Sequence, residues 1–151
     1  MQREPVLRDG RVSIFTLQVL PALLAGEAAR YTGQPDAAHS RTYVGDVART
    51  LVAVAGRDDT WGRAWHVPSR DLSVHELANV AARLAGRPEP VLAGLDFQQL
   101  LAFAASGSML RELFEMRYMF YEQRLLDARR TTQQLGIAPA PLEEAVGDML
   151  S

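Results

Sequence analysis

Histidines 39, 66 and 75 are the only imidazoles in the chain, and so the residues best suited to proton transfer or metal binding near neutral pH. They form neither an H-x3-H nor an H-E-x-x-H pair, so no two rings share a helical face and no metal centre is expected. All sixteen basic residues are arginine. Without lysine, no Schiff base, P-loop or lysine-assisted tyrosine acid/base pair can be assembled, because the permanently charged, planar guanidinium does not replace an ammonium. Cysteine is absent as well, which removes disulfides, thiolate nucleophiles and cysteine-based zinc sites. No G-x-S-x-G elbow occurs. The eleven glycines never fall two apart, so the G-x-G-x-x-G that lets a backbone approach a pyrophosphate is missing. No catalytic, cofactor-binding or metal-binding residue is therefore expected within this chain.

The elements that must carry these residues fit one domain. The chain has 151 residues, 48% apolar and 23% charged, enough for one modest core. Sixteen basic against eighteen acidic side chains give a net charge of −2, which offers no field for nucleic acid or anionic lipid. No run reaches the roughly 18 apolar residues of a membrane span, and the start lacks the apolar run of a signal peptide. The expectation is a cytoplasmic protein with no membrane and no nucleic-acid partner.

Residues 1–12 read as an irregular lead-in to a single domain over 13–151. Apolar spacing predicts a helix over 14–25, with Pro21 as a kink or early boundary and Gly26 as its stop. A strand follows over 28–32, then the turn Gly33, Gln34, Pro35, Asp36. Thr42, Tyr43 and Val44 read as a strand, with Asp46 accepting backbone N–H bonds at the start of a helix ending at Gly56. Residues 63–67 read as another strand bracketed by Trp61 and Trp65, residues 68–71 as a turn, and Ser73 with Glu76 as a capping box opening a helix that stops at Gly86. A short strand over 90–92 precedes helices over 97–105 and 108–116, broken at Gly107. Further helices run from Asp127 to Leu135 and from Pro141 to Leu150. Tyr118, Phe120 and Tyr121 read as core aromatics, with a substrate pocket as the alternative. Alternating strands and helices followed by long helices predict a helix-rich α/β fold. The segment 64–67 reads as buried on both faces, as in a parallel sheet larger than this chain supplies.

The run Thr42, Tyr43, Val44, Gly45, Asp46, Val47, Ala48, Arg49, Thr50, Leu51, Val52, followed by Gly62 to Ser69, resembles the C-terminal half of extended short-chain dehydrogenase/reductases, the NAD-dependent epimerase/dehydratase family. The likeness continues in order through Ser73 to Gly86, Leu126 to Arg129, Leu135 with Gly136, and Pro139, Pro141, Leu142, Glu143, Glu144, and it takes in about residues 13–150. It implies the C-terminal part of a Rossmann-type fold: the last sheet strands plus the small substrate-binding subdomain, without the dinucleotide-binding half. In that family the first half supplies the Gly-rich turn and the catalytic Ser, Tyr and Lys. A complete member would use NAD or NADP; this chain alone carries neither the Gly-rich turn nor a Tyr-x-x-x-Lys.

The resemblance also marks substrate-binding candidates. His39, seven residues before Asp46, stands where sugar-nucleotide epimerases place an arginine on the substrate diphosphate, and Arg41 follows two residues later. An imidazole gives one donor where guanidinium gives a bidentate fork, a departure from the nucleotide-sugar pattern. Arg117, ten residues before Asp127, falls where some members carry a second phosphate-binding arginine. Pro139, Ala140 and Pro141 replace a Pro-Thr-Pro close and lose a capping hydroxyl, typically ~1 kcal/mol of helix stability. The function implied is the substrate-binding portion of an NAD(P)-dependent epimerase, dehydratase or reductase, inactive alone. Its partners would be a small-molecule substrate and a dinucleotide-binding half, or self-association through an open sheet edge. The alternative is a non-catalytic small-ligand or protein-interaction module reusing the same segment.

Overall fold

The computed structural model describes residues 13–105 and 108–151. The lead-in over 1–12 and the break at Gly107 lie outside the described residues. The first helical segment opens with a π turn, Phe15–Val19, and continues as α1, Leu20–Ala25. Pro21 sits in the first turn of α1, where its missing N–H costs nothing, and Gly26 closes the helix in the left-handed conformation at φ 76°. Then come β1 (Ala29–Tyr31), β2 (His39–Arg41), α2 (Val44–Ala55), a 3-10 turn (Asp58–Thr60), β3 (Arg70–Leu72), α3 (Val74–Leu84) and β4 (Leu92–Gly94). Helices α4 (Phe97–Ala105), α5 (Ser108–Glu115), α6 (Tyr118–Tyr121), α7 (Arg129–Leu135) and α8 (Leu142–Leu150) complete the chain. The fold is mixed α/β and helix-rich. No helix among the described residues is long and apolar enough to cross a membrane.

The core forms where α3 lies between α1 and α8 over β1. Phe15, Val19, Leu20, Leu23, Ala29, Tyr31, Val74, Leu77, Ala78, Ala81, Ala82 and Val146 are buried together there. The capping box fixes where α3 starts: the Ser73 hydroxyl accepts the Glu76 N–H at 3.1 Å, and the Glu76 carboxylate accepts the Ser73 N–H at 2.8 Å. Helix α8 starts at Leu142, one residue later than expected, with Pro141 and not residue 140 at the cap position and no side-chain cap.

Two ladders, each of two strands, make up the sheet structure of the described residues. Strands β1 and β4 run parallel, Tyr31 opposite Gly94, and β2 and β3 run antiparallel, His39 opposite Leu72 and Arg41 opposite Arg70. Several strand expectations need correction. The β2 ladder takes in His39–Arg41 rather than Thr42, Tyr43 and Val44, because α2 already starts at Val44 with Tyr43 as its cap. Arg70 and Asp71, expected in a turn, pair in β3. Residues 63–67 form no strand, and their backbone amides make no ladder bonds to the described strands. Trp61 is 67% exposed and so does not pack a strand as expected.

Asp46 is corrected too. Its carboxylate does not cap α2 but accepts the Ala140 N–H at 3.0 Å and pairs with Arg49, whose guanidinium also donates to the Ala138 carbonyl. The side chain is buried, so this bond anchors the C-terminal segment to α2.

Candidate functional site

Strand β2 presents His39 and Arg41 on one face and Ser40 on the other, as the period of two requires. It is flanked by β3 and by the stretch after α6: Ser40 N–H donates to the Arg124 carbonyl at 2.9 Å, and Arg124 N–H donates to the Ala38 carbonyl at 3.1 Å. The turn before β2 is clamped in turn by Gly33. At φ 148° a methyl group there would stand 2.7 Å from the Phe120 carbonyl oxygen, while Gln34 N–H donates to that same oxygen at 3.0 Å. Glycine thus seats α6 beside β2.

The His39 ring contacts the Glu122 carbonyl through Nε2 at 2.9 Å. Burial holds the imidazole below its ordinary value; the Glu122 carbonyl opposes this, and the nearby charges of Arg41 and Arg124 reinforce it. The lowered pKa favours the neutral ring, in which Nε2–H donates to the Glu122 carbonyl. Arg41 differs. It is half-buried, and its Nε and Nη2 are buried without a hydrogen-bond partner among the described residues. Directly across the ladder stands a second cation, Arg70, whose Nε donates to the Ala140 carbonyl at 2.7 Å. Orphaned buried donors are costly unless something supplies an acceptor.

Arg117 lies at the start of α6, stacked 4.8 Å from the Phe114 ring centre, with Nη1 3.2 Å from the Phe114 carbonyl. It lines a cleft of about 440 Å³ with Leu100, Glu115, Tyr118, Tyr121 and Glu122, within the size range of small-molecule sites. Tyr118 and Tyr121 face this cleft, and Tyr118 is 47% exposed, so the expected core role does not hold for it. The Tyr121 hydroxyl donates to the Leu95 carbonyl at 2.5 Å, and burial raises its pKa, which keeps it protonated. Glu122 joins the pieces: it lines the cleft, and its carbonyl holds His39. Arg124, which the sequence reading did not single out, packs 4.9 Å from the Tyr118 ring and pairs with Glu122 at 3.1 Å. Only its spacing three residues before Asp127 could have drawn notice. The structure therefore gathers His39, Arg41 and Arg124 at one strand and ties His39 to the Arg117 cleft through Glu122. Arg41 is not in the lining of that cleft.

A larger cleft of about 540 Å³ lies between Pro68, Ser69 and Asp71 and the stretch from Leu125 to Gln133. Its charges are already paired. Ser40 donates to Asp71 at 2.6 Å, and the Arg129 guanidinium holds the Asp127 carboxyl down to about 2. Its lining contains none of the substrate-binding candidates His39, Arg41 and Arg117.

Two of the three strand-to-helix turns are closed to a pyrophosphate, which would sit on a helix N-terminus. At β4–α4 the Asp96 carboxylate accepts the Gln99 N–H at 2.7 Å, and Gln99 returns the bond to the Asp96 N–H at 3.0 Å. At β3–α3 the Ser73–Glu76 box does the same. Each N-terminus is closed by its own side chains and carries a carboxylate that repels phosphate.

No protein-family profile matches the chain, and no curated protein sequence matches it. Solved structures do. The UDP-glucuronic acid 4-epimerase from Bacillus cereus, in complex with NAD, superimposes with a TM-score of 0.61 and 13% identity over 89% of this chain. A functionally unknown conserved protein from Silicibacter pomeroyi superimposes with a TM-score of 0.56 and 22% identity over 80% of this chain. This chain spans 36% of the first and 39% of the second. The fold is thus like part of the UDP-glucuronic acid 4-epimerase structure.

Proposed function

We propose that this chain is the substrate-binding portion of an NAD(P)-dependent epimerase, dehydratase or reductase, and is inactive without a dinucleotide-binding half. The observation that carries the reading is the buried, unpaired guanidinium edge of Arg41, in a chain whose fold matches only a third of an epimerase. Nε and Nη2 of Arg41 are covered and unpaired, and an anionic substrate group that displaced what covers them would gain the bidentate recognition at which guanidinium excels. His39 stays neutral on the Glu122 carbonyl and fixes the strand edge beside it. Arg117 supplies a cation in the neighbouring cleft, which the Tyr118 and Tyr121 rings line. Hydride transfer on a nicotinamide would be the chemistry of the other half; the residues here orient the substrate and shield it.

Calorimetry with NAD and with NADP tests the reading. The expected result is no binding tighter than about 1 mM. Binding that persists in Arg41→Met, which removes the anion contact, would place a dinucleotide site in this chain and overturn the proposal.

A further inference from the structure

His39 and Arg41 stand two residues apart on β2, so their side chains leave the same face of the strand about 7 Å apart along it. Neighbouring elements complete the surroundings of the imidazole. Leu72 of β3 stands directly opposite His39, and Arg124 bridges to it from the stretch after α6. The Glu122 carbonyl meets the ring at 2.9 Å, while the Glu122 carboxylate pairs with Arg124 at 3.1 Å. Ser40 and Asp71, which bond to each other, lie on the opposite face of the same ladder.

Two guanidiniums, Arg41 and Arg124, therefore oppose a proton on His39. They differ in what they still lack. Arg124 already has a carboxylate, whereas Nε and Nη2 of Arg41 have no hydrogen-bond partner among the described residues. An anion seated on Arg41 would cancel the repulsion that this guanidinium exerts on an imidazolium and add an attraction of its own. The ring need not move for this to happen, because Nε2–H donates to the Glu122 carbonyl whether Nδ1 carries a proton or not.

We infer that anion binding at Arg41 is coupled to proton uptake by His39, so that the site holds its ligand more tightly as the pH falls. This deepens the proposed function and rests on its anion site at Arg41. Binding and protonation share one coupling free energy, which has the same size read from either side. Across about 7 Å in a water-like dielectric, each unit of charge shifts the proton affinity of another group by about half a pH unit. A dianion on Arg41 should thus raise the His39 midpoint by about one pH unit, and protonated His39 should tighten the dianion about tenfold.

Ring-proton NMR of the three histidines, followed from about pH 5 to about pH 8 in sodium sulfate and in sodium chloride of equal ionic strength, tests the coupling. Sulfate stays doubly charged over this range, unlike a terminal phosphate, which titrates near pH ~6. The His39 midpoint should rise in sulfate by about one pH unit. Those of His66 and His75, whose rings contact Asp127 and Asp36 instead, should stay in place. In Arg41→Met the His39 midpoint should start about half a pH unit higher, and sulfate should no longer move it. Calorimetry of sulfate binding should show the tenfold pH dependence in the parent and none in His39→Gln. Equal shifts on all three rings, a His39 midpoint indifferent to sulfate, or a sulfate effect that survives Arg41→Met overturns the coupling. Should that happen while UDP-induced amide shifts still vanish in Arg41→Met, the substrate reading stands and the proton linkage alone fails. UDP shifts that survive the variant, or a parent that gives none, overturn both.

Discussion

The carboxylate of Asp46 accepts the backbone N–H of Ala140, a partner 94 positions along the chain, in a buried site where Arg49 also pairs with that carboxylate. One side chain thus fastens the last segment of the chain to α2. Asp46→Ala would leave a buried N–H unsatisfied and should cost roughly 1–3 kcal/mol, whereas Asp46→Asn keeps an acceptor and should cost less. Urea denaturation of both variants checks the order; equal loss, or none, would mean that the bond does not hold the segment.

Gly33 makes a second, separable demand. Any side chain there meets the Phe120 backbone while the residue is held at positive φ, so Gly33→Ala should destabilise by roughly 1–3 kcal/mol. Because the strain falls on α6, the fluorescence or NMR signals of Tyr118 and Tyr121 should move with it. An alanine variant with parental stability and unmoved tyrosine signals would contradict the clamp.

The pH dependence of His39 follows from its lowered pKa. The unfolded ring takes up a proton near 6.5 and the folded ring only at lower pH, so the unfolded state binds more protons in between. Stability from this site is fully present above about pH 6.5 and is lost as the pH falls toward the folded value. His39→Gln, which can still donate to the Glu122 carbonyl, should flatten the stability profile over that window. NMR titration of the His39 ring should give a midpoint below 6.5; a midpoint above it would reverse the sign.

Local signals were legible from the residues alone, and pairing was not. The Ser73–Glu76 box, the left-handed glycines at 26 and 136, and Pro21 near a helix start act within a turn of the chain, and each stands where its chemistry places it. Strand state depends on distant partners. His39, Ser40 and Arg41 have little strand propensity yet form β2, because Arg70–Leu72 and Arg124 supply the bonds. Ala64 to Val67 have the propensity but no strand partner among the described residues. Asp46 reads locally as a cap, and only the fold brings Ala140 to it. Of the candidate site, His39 and Arg41 were visible through the motif around Asp46, but Arg124 became part of it only when the backbone after α6 came alongside β2.

The most direct test of the substrate-binding reading is an amide NMR titration of the chain with UDP, run in parallel on Arg41→Met. In the parent, the expected shifts fall on His39 to Arg41 and on Arg117 to Arg124. In the variant they should vanish while unfolding shows stability raised by about 1–3 kcal/mol, since an unpaired buried guanidinium has been replaced by an apolar chain of similar reach. Shifts that survive in the variant, or a parent that gives none, would contradict the assignment of Arg41 as the anchor of a substrate anion.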